Sequence, residues 1–143
     1  FPARELMPFI LSQLTGAVLA SLTLKLLFPA NQFLGATIPA GSDMQSFILE
    51  FILTFFLMLV IINVAKGSKE QGMFAGIAIG SMVALEAMFA GPVCGASMNP
   101  ARSFAPAVIS GHTEHLWIYL VATTMGAVSA IPVWKLLSKP AQQ

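Results

Sequence analysis

Charge is what this sequence has least of: seven Lys and Arg and six Asp and Glu in 143 residues, 9% in all, where a soluble domain carries about 25%. That shortage excludes most soluble enzymes. The formal net charge of +1 leaves no basic field to draw in nucleic acid and no acidic tail, so no nucleic-acid partner is expected. Cys94 is the one cysteine, too few for an internal disulfide or a thiolate metal cluster. His112 and His115 stand three apart beside Glu114, a pattern that a solvated loop explains better than a metal site. No nucleophile, base or metal set recurs at helical spacing, so neither an enzyme nor a cofactor is expected. The opening residues, Phe1-Pro2-Ala3-Arg4-Glu5, lack an initiating Met and the charged, apolar and cleavable regions of a signal peptide. The chain reads as a piece of something longer.

Apolar residues are what it has in excess, at 57% of the chain with a mean hydropathy of +0.82. Such a chain cannot stay solvated and disordered. A helix of about 20 apolar residues crosses the roughly 30 Å hydrocarbon core of a bilayer, and four stretches qualify: 6–28, 46–65, 72–90 and 116–134. Pro8 and Pro29 stand at the boundaries of the first, where proline is tolerated. Trp117, Tyr119 and Trp134 bracket the last as interfacial aromatics. Residues 29–45 hold Asn31, Gly35, Pro39, Gly41 and Asp43 and read as a connecting loop, and residues 66–71 as a short polar one.

Between the third and last spans, the run from Gly91 to Met98 is too rich in Gly and Pro to cross a membrane and is expected to be broken. Asn99 is a good helix N-cap and Pro100 a favoured first helical residue, so a helix over 99–109 is predicted. At about 1.5 Å per residue it covers half the hydrocarbon. A re-entrant half-helix follows, since non-helical backbone survives at depth only when buried in protein or lining a water-filled cavity. The fold class is therefore an all-α membrane protein, its 143 residues one membrane domain. Arg4, Lys66, Lys69, Lys135 and Lys139 fall on one side of it, which the positive-inside rule makes cytoplasmic together with both termini of the segment. Gly16 to Leu27 also matches Gly126 to Leu137 at seven of twelve positions, 110 residues apart. Three spans between equivalent points make this an inverted repeat, of which the chain holds one copy and the last helix of the other.

The run Gly91-Pro-Val-Cys-Gly-Ala-Ser-Met-Asn-Pro-Ala-Arg-Ser-Phe104 closely resembles the second Asn-Pro-Ala loop of the aquaporin (major intrinsic protein) family, most of all its nodulin-like intrinsic protein branch. The four spans look like the third to sixth helices of that six-helix, two-half-helix fold. The resemblance implies a passive, multi-pass channel of the cell membrane. It would pass water and small uncharged solutes such as glycerol, urea or boric, silicic and arsenous acid, and exclude protons and ions. It implies a homotetramer in the lipid bilayer, with the N-terminal half of the same pore absent here. By resemblance Asn99 presents its amide to the passing solute, while Pro100 and Ala101 pack against the other half-helix. Arg102, Ala87 and Ala96 take three of the four selectivity-filter places. Water-selective members have His where this chain has Ala87, so a wide opening is expected. Gly95, Ala96 and Ser97 would turn carbonyls to the pore, and Glu50 matches a buried Glu that holds the loop.

Other features have two readings. Arg102 is a filter residue, a structural residue paired with loop carbonyls, or both. Glu86, about 100° round the helix from Ala87, faces the loop or a neighbouring helix, with pore-lining proton sensing the alternative. Gly72, Gly76 and Gly80 form a stripe that suits close helix packing. Cys94 lies two positions before the cysteine that makes some members mercury-sensitive, which argues against mercurial inhibition. A secondary transporter of a small solute is the rival to a channel, because broken helices and inverted repeats serve both.

Overall fold

The computed structural model describes residues 2–66 and 72–138. The polar loop at 66–71 lies outside them except for Lys66. A single 3-10 turn, Ala3–Glu5, leads into α1 (Leu6–Leu27), followed by α2 (Asp43–Ala65), α3 (Ala75–Cys94), the short α4 (Pro100–Ser110) and α5 (Leu116–Leu137). Among the described residues there is no strand, and α1, α2, α3 and α5 are each long and apolar enough to cross a membrane. Helices follow from the composition, because in hydrocarbon every backbone N–H and C=O must find its partner within the segment. The buried hydroxyls obey the same rule: Ser21, Thr54 and Thr123 donate to the carbonyls of Ala17, Glu50 and Tyr119, four residues back.

α2 packs against both α3 and α5, and α4 lies between α1 and α5. The approach of α5 to α2 is closest at Gly126, where a Cβ would overlap the Phe51 carbonyl oxygen and stand 3.1 Å from the Phe55 nitrogen. Leu53 of α2 forms a buried cluster with Ala90, Cys94 and Ala96, closed by Leu49 and Met98. Rings fasten the α2–α5 pair at both ends. Phe47 stacks on Trp117 with centroids 5.8 Å apart, and the Lys66 ammonium sits 5.0 Å from the Trp134 ring. Outward, Leu26, Met73 and Met88 are about four-fifths exposed, a surface suited to hydrocarbon rather than water.

Several boundaries differ from the sequence reading, each for a local reason. The second helix begins at Asp43 because the Ser42 hydroxyl accepts from the Gln45 amide at 3.2 Å and Asp43 places negative charge at the positive end of the helix dipole. The third begins at Ala75 and runs to Cys94, straight through Gly91 and Pro92, so the break expected from Gly91 shrinks to the residues after Cys94. One proline near a helix end removes a single donor. The orphan carbonyls of that last turn are taken up from outside, Val93 by the Ala40 amide at 2.9 Å and Cys94 by the Tyr119 hydroxyl at 2.7 Å. The last span continues past Trp134 to Leu137, through Pro132. The first ends at Leu27 and the half-helix covers 100–110. Along the glycine stripe, a Cβ at Gly72, Gly76 or Gly80 would meet nothing within 4 Å. No described helix of this chain packs there.

Candidate functional site

The broken segment can be placed by what it touches along α2. Val93 bonds Ala40, just before α2 starts, whereas the Ser97 and Met98 amides donate to Glu50 Oε1 and Oε2 at 2.7 and 2.9 Å. Glu50 lies two turns, about 10 Å, further into the helix. The chain thus descends beside α2. α4, with 11 residues and about 16 Å of length, then carries it back, and His115 Nδ1 meets Asp43 Oδ1 at 2.9 Å at the level where α2 begins. The segment enters and leaves on one side.

The descent needs unusual backbone. Gly95 has φ 86°, and Ala96 and Met98 also have positive φ, 40° and 52°. Left-handed conformation costs a non-glycine residue about 1–2 kcal/mol, so the turn persists only because other contacts hold it. Fully buried Glu50 supplies two of them. At Gly95 a Cβ would also lie 3.1 Å from Thr37 Cγ2. Gly95→Ala is therefore expected to lower stability by about 2 kcal/mol, read as a drop in the thermal midpoint of the detergent-solubilised protein. The Ser97 and Met98 amides are spent on Glu50, while the carbonyls of Gly95, Ala96 and Ser97 accept no hydrogen bond among the described residues.

Asn99 caps α4 with its side chain: Oδ1 accepts from the amides of Ala101 at 2.9 Å and Arg102 at 3.4 Å. The oxygen so fixed, the Nδ2 group is left outward as a donor without a partner among the described residues. It stands at the positive end of the half-helix. Arg102 Nη1 donates to the Gly35 carbonyl at 2.7 Å, so the guanidinium is tied to the connecting loop. Asn31 builds that loop by accepting from the amides of Phe33 and Leu34, turning Gly35 at φ 84° to face the arginine.

Asn99, Ala101 and Arg102 share a cavity of about 340 Å³ with Gln13, Ala17 and Gly35, while Asn99, Pro100 and Ala101 border an apolar one of about 400 Å³ with Phe9 and Phe104. Ala87 and Ala96 line neither. Ala87 is exposed on α3, and the Ala96 methyl is packed into the Leu53 cluster, which leaves its carbonyl as the free group. Glu86 is 2% exposed and shares a face of α3 with buried Ala90 and Cys94; its Oε2 has no partner among the described residues. His112 lies against Ser110 and the Phe33 ring, apart from the His115–Asp43 pair, and no group of three or more His, Cys, Asp or Glu among the described residues is arranged to hold a metal. Cys94 is fully buried.

Sequence reasoning missed Thr37 and Ser103 and misplaced Tyr119, which is expected at the membrane interface but is fully buried because its hydroxyl is drawn inward to the Cys94 carbonyl. Thr37 sits in a loop whose composition shows only turns. Ser103 is a small residue of a short helix, with no pattern to separate it from packing.

A chain of apolar spans folded around a broken, re-entrant segment with an Asn-capped half-helix defines an all-α membrane protein. The family model described as Major intrinsic protein matches residues 1–134, and the chain belongs to that family. It is 49% identical to Nodulin-26 of Glycine max, an alignment covering 96% of this chain and 51% of that protein. With Aquaporin NIP1-2 and Aquaporin NIP2-1 of Arabidopsis thaliana it shares 44% and 45% identity over 96% of its length and 49% and 50% of theirs. Those names place it with the nodulin-like branch. The chain spans about half the length of the curated relatives it matches.

Proposed function

We propose that this chain supplies the second half of a passive transmembrane channel for water and small uncharged solutes, among them glycerol, urea and the hydroxides of boron, silicon and arsenic. The observation that carries the reading is Asn99: its oxygen is consumed in capping α4, and its Nδ2 donor has no partner among the described residues at the inner end of a half-helix. A solute oxygen can accept from it. Three carbonyls without a partner among the described residues, of Gly95, Ala96 and Ser97, would replace lost hydration on the way in. The helix dipole and Arg102 disfavour cations and protons at the same place. Relatives named aquaporin support the class of activity.

In this reading Ala87, Ala96 and Arg102 form three parts of the filter, and the N-terminal half of the pore completes it. The channel lies in the cell membrane as a homotetramer, with both ends of this segment cytoplasmic. Contacts between subunits or with the other half would cover the open Gly72, Gly76 and Gly80 stripe. Reconstituted in liposomes, the protein is expected to give flux that rises linearly with water, glycerol or boric acid gradients and ignores proton and sodium gradients. Saturating, ion-coupled flux would instead mark a transporter. Ala87→His is expected to cut glycerol and boric acid permeability on the order of tenfold while water still passes. Equal losses for all three solutes would remove Ala87 from the filter.

A further inference from the structure

The connecting loop between α1 and α2 reaches the broken segment through a line of buried hydroxyls whose proton order can be worked out. Thr37 Oγ1 donates to Ser103 Oγ at 2.7 Å. Ser103 and Ser97 hydroxyls are in contact, and Ser97 Oγ donates to the Asn99 carbonyl at 2.9 Å. Each hydroxyl has one proton. Because the Ser97 proton is committed to Asn99, the proton between the two serines must come from Ser103. The line therefore runs in one direction, from Thr37 to Ser103 to Ser97 to the Asn99 carbonyl. The Asn99 amide closes on Ser97 Oγ in turn at 3.4 Å, so Ser97 grips the backbone of Asn99 from both sides. Thr37, Ser97 and Ser103 are all buried, at 7%, 6% and 0% exposure. In such surroundings aligned hydroxyls polarise and strengthen one another.

We propose that Thr37 is a positioning residue for solute selection, acting through this hydroxyl relay to fix where Asn99 presents its Nδ2 donor. The inference rests on the channel reading and extends it to a residue of the outer loop. Thr37 is buried and lines neither of the cavities that Asn99 borders. Its effect is to hold Ser103, and through it Ser97, so that Asn99 and the loop-tied Arg102 keep a fixed spacing. Water is small and turns freely to meet whichever donor is in reach, so it tolerates a slack donor. A polyol that must bind two donors at once does not, since its transfer depends on their separation.

The test is stopped-flow swelling of proteoliposomes with water and with glycerol, reported as the ratio of the two permeabilities. Thr37→Val keeps the shape and removes the head of the relay; it is expected to lower the glycerol-to-water ratio about fivefold. Thr37→Ser restores the hydroxyl and is expected to keep the wild-type ratio. A general loss of fold would lower both permeabilities together and leave the ratio unchanged. Ser103→Ala supplies a second arm: with the relay already cut, adding Thr37→Val changes the ratio no further. Additive losses, or a Thr37→Val ratio equal to wild type in protein that conducts, overturn the relay and leave the channel reading standing. Wild-type protein that passes neither water nor glycerol overturns the channel reading and the relay with it.

Discussion

Glu50→Leu is expected to destroy the broken segment. The carboxyl accepts from two consecutive amides, Ser97 at 2.7 Å and Met98 at 2.9 Å, in a place with no exposure at all. Leucine leaves both N–H groups without partners in an apolar interior, at about 1–3 kcal/mol each, and Met98 and Ala96 already sit in conformations that need external support. The sum, about 2–6 kcal/mol, is a large share of the stability of a domain. The measurement is the thermal midpoint in detergent together with osmotic permeability; the variant should unfold well below wild type and conduct nothing. Glu50→Gln separates the two bonds. Its amide keeps one acceptor oxygen and turns an NH2 donor against the other amide, so an intermediate loss is expected. A Glu50→Leu protein with the wild-type midpoint would mean the loop is held by something other than Glu50.

The second large effect is expected at Gly126→Ala. The added methyl would overlap the Phe51 carbonyl, and backbone offers no rotamer in which to escape. Either α5 moves away from α2 or both helices bend. Overpacking of this kind costs about 1–3 kcal/mol, occasionally more. Because α5 also carries Tyr119, whose hydroxyl holds the end of α3 at Cys94, the displacement should reach the broken segment. Lower thermal stability with reduced permeability is the expected pair of readings. Full permeability at the wild-type midpoint would show that the interface has slack at this point.

The four spans and the half-helix follow from apolar run length and from Asn99-Pro100, signals carried by consecutive residues of one segment. Glu50 was marked by family resemblance, and its two bonds give that mark a geometry. Gly126 was visible only as one position of a repeat, with no sign that α2 would press on it. The helix through Pro92 could not be read, because what permits it, the Ala40 and Tyr119 donors at its last carbonyls, arrives from 53 residues upstream and 25 downstream of Val93 and Cys94. Thr37 was hidden for the same reason: its partner Ser103 is 66 residues away.

The ring contacts at the two ends of α2 and α5 bear on how the protein meets bilayers of different thickness. With 23 residues, α2 is about 35 Å long and exceeds the roughly 30 Å hydrocarbon core. A helix pair with one fastening could shorten its span by sliding one member past the other. Phe47 on Trp117 and Lys66 over Trp134 block sliding from opposite ends. Thinning of the membrane must then be met by tilting the pair as one body, and the inclination of the Glu50-held segment would change with it.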